Sequence, residues 1–183
     1  MKYLIGLLVT IAVIIFIIIK LLTGTSAPAK QAASLASYAN TATEVRLTIS
    51  NPVQAPVNHR EIQITVGRDI AHFTLYKGYD QDIVRTKTYA TGEEAYRNFL
   101  RSLELSGQYT KGNDDPAKKD EHGYCALGER YVYEIIDAEG TVKQHYWSTS
   151  CGPKTFGGNI AAVQDLFIAQ IPDYDELTRD VEL

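Results

Sequence analysis

Apolar positions along the chain fall into three regimes. From Tyr3 to Leu22 they run almost unbroken, with Lys20 as the single charge. From Thr23 to Thr43 they thin into Ala, Ser and Thr. From Val45 onward they alternate with polar residues or recur at helical spacing. Val45–Ile49 and Glu61–Val66 alternate as half-buried strands do, and Ile70–Tyr76 and Ile83–Tyr89 read as a third and a fourth strand between turns. Pro52 and Pro56 break the first interval, and Gly67-Arg68-Asp69 and Lys77-Gly78-Tyr79-Asp80 supply turns. Thr91 and Glu94 fit a capping box, and Ala95, Phe99, Leu100 and Leu103 form a helical stripe over about 92–106. Gly107 is suited to the left-handed stop of that helix.

Residues 108–123 are polar and aperiodic, which predicts an exposed, mobile loop. Strands follow over Cys125–Ile136 and Thr141–Thr149, joined by a turn in which Gly140 takes the left-handed position. Ile160, Val163, Leu166, Phe167 and Ile171 then recur at helical spacing, with Asn159 as N-cap and Pro172 as stop. The order β-β-β-β-α-β-β-α predicts an α+β domain with an antiparallel sheet and two helices, over residues 44–183.

The leading segment changes the picture of location. Tyr3–Leu22 is 20 residues long, and as a helix it would span roughly 30 Å, the thickness of a bilayer core. Residues 1–22 therefore read as a transmembrane signal anchor, with Tyr3 and Lys20 at the interfaces. A cleaved signal peptide is the competing reading, since Ala27-Pro28-Ala29 resembles a cleavage site. The apolar run is longer than such a signal needs. Residues 23–43 read as a spacer too poor in apolar bulk to order itself, apart from a loose helix over Lys30–Tyr38. The layout also resembles that of type IV pilins, with Gly6 where a leader would end, although Ile11 stands where that family carries Glu.

Cys125 and Cys151 are the two cysteines. A hairpin register with Asp137 opposite Gly140 leaves them within one residue of facing each other, at the distance a disulfide needs. The same register sets Tyr146 opposite Tyr131. After an export signal, an oxidised pair is expected, and it sets the domain on the extracytoplasmic side.

Candidate chemistry is sparse. His59, His72, His122 and His145 show no zinc-protease spacing, and the two cysteines lack partners for a zinc site. Asp114, Asp115, Asp120, Glu121 and His122 crowd one loop without the regularity of a calcium loop. The Gly-rich run Ser148–Asn159 contains no phosphate-binding signature and reads as a sharp turn. Tyr131, Tyr133, Tyr146 and Trp147, with other strand tyrosines, form a candidate binding face for an envelope protein or glycan. Beyond the leading segment, 16 basic residues stand against 22 acidic ones, which opposes nucleic-acid binding.

The expectation is a single-pass protein of the cell envelope that contacts the bilayer through its first helix. Its role would be non-enzymatic: binding, scaffolding or adhesion, with no metal and no cofactor. An envelope enzyme using Cys, His or loop carboxylates is the alternative, and a pilin-like assembly subunit is the third.

Overall fold

Alternating strands need a covered face, and the chain supplies one cover for the whole set. The computed structural model describes residues 34–181; the expected anchor, Gly6 and the spacer up to residue 33 lie outside the described residues. Strands β1 (Glu44–Ser50), β2 (Arg60–Val66), β3 (Ile70–Lys77) and β4 (Asp82–Ala90) form a meander. Helix α1 (Glu93–Ser102), extended by a wider π turn over Leu103–Gly107, leads to a long loop. Strands β5 (Arg130–Ile136) and β6 (Val142–Thr149) and helices α2 (Ile160–Ile168) and α3 (Tyr174–Thr178) complete the order. The six strands make one sheet in the order β4-β3-β2-β1-β5-β6, antiparallel throughout. The predicted α+β domain is thus present. Among the described residues, no helix is long and apolar enough to cross a membrane.

One sheet face is apolar and sits under the helices. Val45, Leu47 and Ile49 of β1, with Ile62, Ile64 and Val66 of β2, are buried there. Phe99 of α1 meets Phe167 of α2 edge-on, with ring centroids 5.3 Å apart. On β5, Tyr133 stacks on Phe156 at 3.9 Å. Strand β4 contributes Arg85, Lys87 and Tyr89 to this face, and polar partners replace apolar contact. Lys87 and Tyr89 both bind the Asp173 carboxylate, and Arg85 pairs with Asp180. The last stretch of chain is thereby fastened across the sheet.

Three expectations need correction. The spacer does not extend to Thr43. Leu35–Asn40 is a 3₁₀ helix with Leu35 and Ala39 buried against α1, so the folded unit starts at Ser34. Two well-placed apolar residues suffice to anchor an otherwise Ala- and Ser-rich turn. The capping box does not form: Gly92 is the N-cap of α1, and the Thr91 hydroxyl instead donates to the carbonyls of Gly67 and Arg68. The hairpin register also differs. Asp137 closes the turn on Thr141, and Gly140 is left-handed at φ 77° as expected. A bulge between Ile135 and Ile136 shifts the ladder once more, so Tyr146 faces Tyr133, not Tyr131.

Candidate functional site

The second sheet face is polar, with Arg46, Thr48, Gln63, Thr65 and Glu134 half-buried along it. The long loop folds back over its β5–β6 side. Asp115 caps a 3₁₀ turn, Pro116–Lys118, by accepting from the Ala117 N–H. The Lys118 carbonyl accepts from the Trp147 indole N–H at 3.1 Å, and Tyr124 packs on the Trp147 ring at 4.8 Å. A sequence without apolar periodicity thus still covers the sheet, through a few placed contacts.

The aromatic residues singled out in the sequence do not form an open face, because packing covers them from both sides of the sheet. Tyr131, Tyr133, Tyr146 and Trp147 are all buried, at 7%, 0%, 9% and 0% exposure. The three tyrosines face the helices and Trp147 faces the loop, so they serve packing. Burial pushes the Tyr131 hydroxyl up to about 12 and that of Tyr133 still higher.

Cys125 and Cys151 form a disulfide with Cα atoms 5.6 Å apart. Cys125 lies outside β5, in a turn closed by the Gly128 N–H on its carbonyl, and adopts φ 52°. The bridge thus joins two turns. Gly128 is required there: an added Cβ would meet Ser150 Oγ and lie 3.1 Å from the Cys151 sulfur. With both cysteines bonded, the free thiol needed by a cysteine-based enzyme is absent. Ala126, in the same turn, accepts from the Val53 N–H at 2.7 Å, so the bridge also holds the β1–β2 loop.

Sequence reasoning missed the cavity this loop helps to build. A hollow of about 330 Å³ lies where the β1–β2 loop, the β3–β4 turn, the start of β5 and residues 121–123 converge. His59 is 4% exposed and stacks on Tyr79 at 4.2 Å. The Tyr79 hydroxyl donates to the Gln54 carbonyl, fixing the stack. Burial pushes His59 below its ordinary value, against the pull of the Glu61 carboxylate. Its Nδ1 is buried with no partner in the protein. Glu61 is held from two sides, accepting from the Ser50 hydroxyl at 2.8 Å and the Gln81 amide at 3.0 Å. Gln81 reaches it from φ 56°, a conformation costing a non-glycine residue roughly 1 kcal/mol. Arg130 donates to the Asn51 carbonyl at 3.1 Å, and Glu121 and His122 close the rim. The sequence carried one signal for this site, the acidic tip Asp120-Glu121-His122, but nothing marked its meeting with His59.

A second histidine lies on the same face. His145 Nδ1 is 3.0 Å from Glu134 Oε1, and Nε2 is 4.0 Å from Glu121 Oε2. The Glu134 hydrogen bond raises His145 above its ordinary value, against partial burial. Glu121 therefore links both sites. Among the described residues, no group of His, Cys, Asp and Glu is close enough to hold a metal ion. No protein-family model and no curated protein sequence matches the chain.

Proposed function

We propose that this protein is a membrane-tethered, extracytoplasmic binding module that presents the polar face of its sheet to a partner in the cell envelope. Its role in this reading is recognition or scaffolding. The observation that carries it is the cavity beside the disulfide-held turn. There a buried histidine, a doubly bonded carboxylate and a half-exposed tyrosine are kept in fixed positions around open space. Held polar groups around a hollow are what orient a ligand. Their order is maintained at a cost, in the left-handed Gln81 and the orphaned His59 nitrogen.

Location is supported by two facts of different kinds. The apolar run Tyr3–Leu22 has the length of a membrane-spanning helix. The disulfide belongs to compartments that are oxidising. Protease added to intact cells should digest the domain, with cytoplasmic proteins untouched. A domain degraded only after the cells are opened would refute the reading.

A further inference from the structure

His145 sits where the long loop meets the polar face of the sheet, and its two ring nitrogens lie near two different carboxylates. Nδ1 is 3.0 Å from Glu134 Oε1 of β5. An ionised carboxylate only accepts, so Nδ1 carries the proton of that bond. Nε2 is buried without a hydrogen-bond partner and lies 4.0 Å from Glu121 Oε2 of the loop, an ion-pair distance. With the proton on Nδ1, Nε2 of the neutral ring is a lone pair beside a negative carboxylate, with no donor to join them. In the charged ring Nε2 is an N–H bearing positive charge. The same contact is therefore repulsive in one protonation state and attractive in the other.

The charges around the ring leave that contact in control. Arg46 of β1 pairs with Glu134 at 3.3 Å, and Asp120 of the loop adds a further negative charge near the ring. Asp114, Asp115, Lys118 and Lys119 line the shallow hollow beside His145, with Lys118 3.9 Å from Asp115. On β6 itself, Lys143 is taken up by Asp137 at 2.6 Å. Within the chain Arg46, Glu134, His145 and Glu121, charges cancel only when His145 is positive. The loop divides at this point. Residues 112–118 have their own fastenings, since the Asn113 N–H donates to the Thr155 carbonyl and the Trp147 indole to that of Lys118. The hydrogen bonds of 119–123 stay local, from the His122 N–H to Asp120 and from the Tyr124 N–H to the Glu121 carbonyl. Among the described residues, the ion pair with His145 is what ties this segment to the sheet. Residues 121–123 are also one wall of the cavity that holds His59 and Glu61.

We propose that His145 is a proton-operated latch: its charged ring holds Glu121, and with it the 121–123 wall of the cavity, against the sheet, and loss of the ring proton releases that wall. The bond to Glu134 raises the ring above its ordinary 6.5, against partial burial, so release comes above that pH. Use of the latch as a gate rests on the binding role proposed above. The latch itself does not, and the measurement below reads the loop without any ligand, so the two fail separately.

The test is backbone amide hydrogen exchange on the full-length protein, kept in solution with a neutral detergent, between pH 6 and 9. Rates are corrected for the intrinsic pH dependence of exchange. His122→Gln is the background of every sample, because it removes the segment's own imidazole. Protection of residues 119–123 should fall by about fivefold as pH rises through the titration of His145, the scale of one partly exposed ion pair. That titration is followed separately by the ¹⁵N resonances of the ring. Residues 112–118 should keep their protection throughout. His145→Gln should hold 119–123 at the low, alkaline level at every pH. Glu121→Gln leaves the histidine in place and removes the charge it attracts, and should also abolish the pH dependence. The latch is overturned if protection of 119–123 does not change with pH, or if the change survives in either variant. It is equally overturned if 112–118 loosens in step, which would make the whole loop one titrating unit.

Discussion

At the residue scale, two histidines on one sheet face titrate in opposite directions. His59 is held below its ordinary value of 6.5, chiefly by burial. Between that lowered value and 6.5 the unfolded chain binds more protons than the folded one, so His59 makes stability fall as pH drops below 6.5. His145 is held above 6.5, chiefly by its hydrogen bond to Glu134. Its contribution is complete below 6.5 and is lost as pH rises through the raised folded value. The carboxylates Asp69, Asp137 and Asp180 are all lowered from 3.8, and their losses fall in a more acidic window. Urea unfolding between pH 5 and 8 should therefore show a stability maximum near pH 6.5. His145→Gln should flatten the alkaline side alone, and His59→Phe the acidic side alone. Unchanged profiles in both variants would contradict these assignments.

At the element scale, the long loop is held by contacts rather than by periodicity. Trp147→Phe keeps an aromatic ring but removes the indole N–H that binds the Lys118 carbonyl. Limited proteolysis should then cut within residues 112–123 several times faster, while circular dichroism of the sheet is unchanged. Equal cleavage rates would show that the loop is fastened elsewhere. The contrast with the strands explains what was legible. Alternation marked β1 and β2 and helical stripes marked α1 and α2, because each of these buries one face and the pattern records it, while the other strands were legible from the turns that bound them. Asn159 capped its helix as expected by accepting from the Ala162 N–H. The capping box failed because the Thr91 hydroxyl had better-placed carbonyls in the β2–β3 turn. The register failed because a bulge leaves no mark in apolar spacing. The disulfide was still foreseen, since the turn after Cys125 folds back to the open end of the hairpin. The aromatic face was misjudged because tyrosines on strands look the same in sequence whether covered or not. The cavity was invisible because its residues come from four distant segments.

At the scale of the whole molecule, the folded unit begins at Ser34, earlier than its composition suggests. Leu35, 1% exposed, docks the 3₁₀ turn on α1. Leu35→Ala should cost about 3 kcal/mol in unfolding free energy, the usual range for a buried leucine. A loss under about 0.5 kcal/mol, the level of an ordinary surface substitution, would return this stretch to the spacer. The disulfide closes a loop with a sequence separation of 26 and should contribute about 3 kcal/mol on the chain-entropy view. It also ties the turn beside the cavity to the β1–β2 loop through Ala126 and Val53. Redox state, stability and the shape of the candidate site are therefore joined in one structure.

The most direct test of an anchored, extracytoplasmic domain uses its own two sulfurs. Intact cells producing the full-length protein are treated with a membrane-impermeant maleimide, with and without prior mild reduction by an impermeant reductant. No labelling is expected before reduction, and labelling of both Cys125 and Cys151 is expected after it, in membrane fractions prepared from cells that were unbroken during treatment. Labelling without reductant, obtained only once the cells are broken, would mean free thiols facing the interior and would rule out an extracytoplasmic, disulfide-bonded domain.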